Sequence, residues 1–199
     1  MKLSFASVAF ALSSLTFAAP VQQNHAREYM IPAAKDTFSG PGCLDCTNGK
    51  EQTLRVDGTK GVEERILLRF ELPNEVAQNV ESIKSCSLSV PGPIKRIDGE
   101  GKYPLIQVAD ANNIGWDEES VSERTLPDQY DWVGEGKIRE GQDTFDPINI
   151  NQICRNIAKN KLGKNNGLNV FLFGLESDIG YVFPSKEAGQ PIKLIVKTN

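Results

Sequence analysis

The sequence predicts an all-β protein, a jelly-roll-like β-sandwich with one short helix, and three observations lead there. From Glu64 to Leu72, the apolar residues Ile66, Leu68, Phe70 and Leu72 alternate with Arg65, Arg69 and Glu71, and only Leu67 breaks the pattern. A strand turns successive side chains to opposite faces, so this period of two sets one face against a core and the other toward water. Turn residues recur at short intervals, as in Ser39-Gly40-Pro41-Gly42, Asp57-Gly58 and Pro91-Gly92-Pro93, which leaves room for strands between them. One stretch alone, Ile150, Ile153, Cys154, Ile157 and Leu162, repeats at helical spacing. Many short strands and a single helix satisfy their apolar faces by packing sheet on sheet.

The elements follow in order. Lys2, the apolar and small run from Leu3 to Phe17, and the small residues of Ala18-Ala19-Pro20 predict a signal peptide over residues 1–19. The run is short for a membrane span of about 20 residues, and no later run is as long. The expected location is secreted and extracellular, with no membrane partner. Residues 20–29 are expected to form a flexible tail, and residues 30–199 a single β-sandwich domain. Strands are predicted from Ile31 to Phe38, Gln52 to Val56, Glu64 to Leu72, Ile83 to Val90 and Leu105 to Ala109. The stretch from Asp110 to Gly141, with both tryptophans and several glycines, reads as long loops with short strand pieces. Strands from Leu168 to Leu175, Ile179 to Phe183 and Ile192 to Val196 complete the set. The first of these carries Val170 and Leu172 on one side and Phe171 and Phe173 on the other, the mark of a central strand. Asn149 or Asn151 can cap the helix, Lys159, Lys161 and Lys164 suit its C-terminal end, and Gly163 suits a left-handed stop.

The cysteines constrain the framework. Four of them, Cys43, Cys46, Cys86 and Cys154, follow the predicted leader, and an even count in an oxidising compartment predicts disulfides. A zinc site would need a second close pair, and the single histidine, His25, falls in the expected tail. Cys86 shares its strand face with Leu88 and Val90, and Cys154 lies one helical turn from Ile150. Cys86–Cys154 across the core and Cys43–Cys46 as a local clasp are therefore the expected pairs.

The order of segments then resembles a known family. Asp36-Thr37-Phe38 and Leu54-Arg55-Val56 come first, then Arg65-Ile66-Leu67-Leu68-Arg69-Phe70-Glu71-Leu72 and Ile83-Lys84-Ser85-Cys86-Ser87-Leu88-Ser89-Val90. Gly115-Trp116-Asp117-Glu118 and Val121-Ser122 precede the helix; Phe183-Pro184-Ser185-Lys186-Glu187 and Pro191-Ile192-Lys193-Leu194-Ile195-Val196 close the chain. This series resembles the DNRLRE, or disaggregatase-related repeat, domain, grouped with carbohydrate-binding module family 96. The resemblance implies a jelly-roll module that binds polysaccharide without cleaving it, with acidic, uronate-containing glycans such as alginate as its ligands. It also implies room for a structural calcium ion, while no other cofactor is expected.

Composition narrows the chemistry. The chain carries 22 basic and 26 acidic side chains and no basic block, which argues against a nucleic-acid partner. No HExxH, Walker or dinucleotide-binding motif occurs, and His25 is poorly placed for nucleophilic catalysis. Asp117, Glu118 and Glu119 beside Trp116 could serve a glycosidase, which needs two well-spaced carboxylates, but with no local motif to support that chemistry they are read as a solvated acidic loop. Sugar binding requires flat apolar faces with polar groups around them. Trp116, Trp132, Tyr103 and Tyr130 supply such faces in the turn-rich middle of the chain, with buried core packing as the competing role for the tryptophans. Lys95, Arg96 and Lys102 in a Pro/Gly-bounded loop, and Lys137 with Arg139, are the cations expected to meet a carboxylate-bearing ligand. Asp36, Asp110, Asn112 and Asn113 could offer oxygens to calcium but lack a diagnostic spacing. The expected protein is a monomeric polysaccharide or cell-wall-glycan binder, the alternative being a small secreted protein-interaction or effector-like sandwich. A glycosidase or lyase stands behind both. No Asn-x-Ser/Thr acceptor for N-linked glycans is present.

Overall fold

The computed structural model describes residues 26–59, 63–98, 105–137, 143–157, 162–175 and 180–199. The expected signal peptide and most of the expected tail lie outside them. The described chain is all-β, as the alternation predicts. Its strands are β1 (Glu28–Ser39), β2 (Thr53–Asp57), β3 (Arg65–Glu71), β4 (Ile83–Ser89), β5 (Lys95–Asp98), β6 (Leu105–Ala111), β7 (Gln129–Lys137), β8 (Ile148–Asn149), β9 (Gly167–Leu175), β10 (Gly180–Pro184) and β11 (Lys193–Thr198). Eight form a continuous sheet in the order β7-β6-β9-β3-β1-β11-β4-β8, and β2-β10-β5 form a smaller one.

β1 holds the larger sheet together by changing partners along its length. Its first half pairs antiparallel with β11, from Glu28 opposite Lys197 to Pro32 opposite Lys193. Its second half pairs with β3, and the register breaks between Ala33 and Lys35. A bulge of this kind bends the strand, so the sheet curls and its far edges, β7 and β8, come into contact. That approach depends on Gly134 of β7. A Cβ there would lie 2.4 Å from the Asn149 carbonyl oxygen and 3.1 Å from the Ile150 side chain. The stretch expected as long loops with short strand pieces holds one nine-residue strand, β7, and the two glycines of that strand, Gly134 and Gly136, mark close packing against β8 rather than turns. Likewise Lys95 and Arg96 lie on β5, not in a loop. β1 also begins at Glu28, inside the expected tail.

The core between the sheets collects Leu54, Val56, Ile66, Leu68, Phe70, Leu88, Ile106, Val108, Leu172, Tyr181, Phe183 and Leu194 with the apolar face of the helix. That helix, α2 (Asn151–Ile157), buries Ile153, Cys154 and Ile157; a single turn, α1 (Asn74–Ala77), precedes it in the chain. The Asn149 side-chain oxygen accepts the Asn151 N–H at 2.9 Å, and the Asn151 side chain accepts the Cys86 N–H at 2.7 Å. The helix start is thereby tied to β4 at the point where Cys86–Cys154 joins them, with Cα atoms 6.1 Å apart. Cys43–Cys46 closes its own loop at 5.4 Å. Both pairings are those expected, and no described cysteine is free. Two disulfides fit an oxidising environment. No helix among the described residues is long and apolar enough to cross a membrane.

Candidate functional site

The outer face of the β1-β3-β9-β6-β7 part of the sheet carries the features that matter. Register places side chains across it in rows. Leu67, Phe171, Ala109 and Trp132 form one row, and Arg65, Phe173, Gln107 and Glu135 the next. Leu67, the residue that breaks the alternation, points outward yet is fully buried, because a second apolar cluster covers it: Ala109, Ala111, Trp116, Val121 and Phe171. The loop after β6 lies over this half of the face.

One buried side chain pins that loop. Asn169 of β9 has no exposed surface. Its Oδ1 accepts from the Arg69 guanidinium and from the Trp116 indole N–H, each at 3.1 Å. Its Nδ2 donates to the carbonyls of Asn112 at 2.7 Å and Ile114 at 2.9 Å. Its backbone N–H donates to the Asn113 side chain at 2.9 Å. Trp116 is accordingly a buried residue, 8% exposed, and serves core packing rather than a ligand. Asn112 gives its backbone carbonyl and Asn113 its side-chain oxygen to Asn169. Asp110 accepts the Ala111 N–H at 2.9 Å, and burial raises its carboxyl above the ordinary range.

The other half of the face is open. A groove of about 440 Å³ runs over it, lined by Trp132, Phe173, Gln107, Arg65, Glu123, Glu63, Glu64 and the Asp57-Gly58 turn. Trp132 is 51% exposed and meets Phe173 edge to face, ring centres 4.8 Å apart. A register shift on β7, which sets Gly134 opposite Val108 and Trp132 opposite Ala109, aims the indole outward. Gly174 lets the Asp57-Gly58 turn form the opposite wall: a Cβ would lie 2.8 Å from the Gly58 nitrogen.

The polar groups of the groove are held in place. Arg65 bonds Glu123, and its guanidinium stands 5.6 Å from the Phe171 ring centre. The Ser39 hydroxyl donates to the other Glu123 oxygen at 2.7 Å. Glu64 lies 3.1 Å from Arg55; burial raises its carboxyl above the usual range, and the Arg55 charge works against that. A second hollow of similar size, between Phe38, Asn48, Arg55 and the Cys43–Cys46 loop, shares Glu64 as a wall.

Of the described residues expected to bind, Trp132 alone lines the groove. Lys137 lies on the same strand, one register row past Glu135, and pairs with it at 3.1 Å. Lys95 and Arg96 are exposed on β5, in the other sheet, and are not among the groove's lining residues. Lys102, Tyr103 and Arg139 lie outside the described residues, as does the side chain of Tyr130 on β7. Arg65, Gln107, Glu123 and Phe173 went unnoticed in the sequence because they come from separate segments. The one signal was Arg65, on the wet face of the clearest strand.

A second cluster lies around Asp36 on β1, three residues before Ser39, where three of the resembling segments converge. Asp36, 1% exposed, accepts the Lys186 N–H at 2.9 Å and gives its own N–H to Glu118 at 2.7 Å. The Lys186 ammonium bridges Glu118, at 2.9 Å, and Glu187. Asp36 Oδ1 and Glu187 Oε2 are buried and accept no hydrogen bond. Burial, with the neighbouring Glu187 and Glu118 charges, pushes the Asp36 carboxyl up to about 7 against the Lys186 N–H, which lowers it. Burial is the largest influence on Glu187 and raises it, but its bond to the Lys186 ammonium, that ammonium's charge, its own backbone N–H and Asp36 together outweigh burial and leave it below the ordinary value. A proton kept on Asp36 therefore relieves the two facing carboxyl groups. Asp36, Glu118 and Glu187 place one oxygen each within 4.8 Å of one another and are the described residues that could hold a cation. Calcium takes roughly six to eight oxygens; two here lack a partner, and the Lys186 ammonium already supplies positive charge. No role is assigned to a metal.

Set beside known proteins, the chain matches no family model and no curated protein.

Proposed function

We propose that the chain is a secreted, non-catalytic polysaccharide-binding module that takes a glycan chain in the groove beneath Trp132. The observation that carries this reading is the half-exposed indole, braced edge to face by Phe173. A large apolar ring kept in water at the edge of a hollow, with amide and carboxylate groups beside it, suits a sugar's apolar C–H face and its ring of hydroxyls. The order of resembling segments supports the same reading. Absence of cleavage is supported by the engagement of the groove's best-placed acids: Glu123 is held by Arg65 and Ser39, and Glu64 by Arg55. A glycan array followed by pull-down on insoluble polysaccharides tests the proposal. Retention should be lost in Trp132→Ala with the fold intact, and no new reducing ends should appear in the bound polymer. Retention of no polysaccharide by the unaltered protein, or unchanged retention by Trp132→Ala, would remove the groove from consideration.

A further inference from the structure

The charges of the groove say more about its occupant than its shape does. Its described lining carries four carboxylates, Asp57, Glu63, Glu64 and Glu123, against one guanidinium, Arg65. Arg65 is neutralised by Glu123, and Glu64 is matched from behind by Arg55. Lys137, on the neighbouring row, is taken by Glu135. Asp57 and Glu63 remain without a described ion-pair partner. Asp57 is buried and uses one oxygen to accept the Thr59 N–H at 2.8 Å; Glu63 is exposed at the lip. The lining thus combines uncompensated negative charge with an open indole. A uronate chain would bring its own carboxylates against that charge, in a hollow partly shielded from solvent where repulsion is stronger than in bulk water.

We propose that the groove selects an amine-bearing glycan, a polymer of glucosamine type, over both uronate and N-acetylated chains. This rests on the reading of the groove as a glycan site and specifies the ligand class. One sugar ring would lie on Trp132, where an ammonium group also gains from the negative face of the indole. Ammonium groups on the ring or its neighbour would meet the exposed Glu63, with the charge of the buried Asp57 acting from beneath, which converts the surplus charge of the lining into binding energy. N-acetylation removes the cation while leaving the ring able to stack, so it separates the two contributions.

Titration calorimetry at about pH 6 and low salt, where exposed charges act over roughly 10 Å or more, tests this with three hexamers. They are a glucosamine oligomer, its N-acetylated counterpart and a uronate oligomer of the alginate class. The glucosamine hexamer should bind at least about tenfold more tightly than either other, and lose most of that margin in about 0.5 M salt. Glu63→Lys, at an exposed position, should cut its affinity about tenfold or more, with Glu63→Gln in between and thermal melts unchanged. Trp132→Ala should weaken both the glucosamine and the N-acetylated hexamers, the glucosamine hexamer more because it also loses the indole's contact with its ammonium. Equal affinity for the N-acetylated hexamer, or a preference for the uronate strengthened by Glu63→Lys, would overturn the amine selectivity and leave glycan binding standing. If no hexamer binds and the polysaccharide pull-down is also negative, the underlying reading fails with it.

Discussion

Replacing Asn169 by alanine should unfold one face of the protein before the rest. The Asn169 side chain makes four hydrogen bonds in a site without solvent: from Arg69 and Trp116, and to the carbonyls of Asn112 and Ile114. A neutral bond contributes about 1 kcal/mol net, and one to a charged group about 1.5–3 kcal/mol. Summed without relaxation, the loss is about 4.5–6 kcal/mol. Water entering the site and movement of the loop should recover part of it, which leaves an expected loss of about 3–5 kcal/mol. The Arg69 guanidinium is the costly partner: it is 3% exposed, and burial already lowers its pKa. Urea unfolding followed by far-UV circular dichroism measures the loss. In a Trp132→Phe background, Trp116 is the remaining tryptophan, and its emission should shift to the red and become open to quenchers at urea concentrations below the global transition. A loss under about 1 kcal/mol with Trp116 emission unchanged would refute the reasoning, because the loop would then be held by its apolar contacts alone.

Other perturbations test other parts of the fold. The Asp36 carboxyl, raised to about 7 from an ordinary value near 4, contributes stability that is complete below about pH 4 and lost as pH rises through 7. Three pH units at about 1.4 kcal/mol each cap this at about 4 kcal/mol, and the lowered Glu187 opposes it on the acid side. Asp36→Asn should therefore flatten the fall in stability from pH 4 to pH 7, measured as denaturation midpoints; a parallel fall in the variant would contradict the assignment. Removing Cys86–Cys154 by double alanine substitution should cost about 4 kcal/mol, and removing Cys43–Cys46 about 2 kcal/mol. Equal losses in urea midpoint would show that loop length does not govern their contributions, which close sequence separations of 68 and 3 residues. Gly134→Ala should destabilise by about 1–3 kcal/mol through overpacking against Asn149, and an unchanged melting temperature would mean that the β7–β8 edges do not meet.

Much of this molecule can be derived from local pattern. Alternation in Arg65–Glu71 settles which face of β3 meets the core, since a period of two leaves a strand no other way to bury Ile66, Leu68 and Phe70. Helical spacing places Cys154 inward on α2, and strand spacing places Cys86 inward on β4, so their bridge follows from two local periodicities. The all-β class and the expected disulfides were legible for that reason. Local pattern failed where a residue's environment is made by distant segments. Leu67 breaks its own strand's alternation, and only the loop docked through Asn169 explains its burial. Gly134 and Gly136 read as turn residues, because nothing nearby announces that β8 and Phe145 will lie against them.

The two tryptophans mark the division. Both stand in the same turn-rich stretch, and the sequence by itself determined only that each is a large apolar ring suited either to stacking on a sugar or to filling the core. Tertiary structure alone decided that Trp116 is buried, with its indole N–H on Asn169, while Trp132 faces water beside Phe173. The physical reason is that burial depends on what other parts of the chain lay over a position. Register rows, the bulge on β7 and the path of one loop are set by contacts between residues tens of positions apart. For the same reason the groove's charge could not be read in advance. Asp57, Glu63 and Arg65 stand together around the β2–β3 turn, but only the docking of the loop after β6 brings Glu123 onto Arg65.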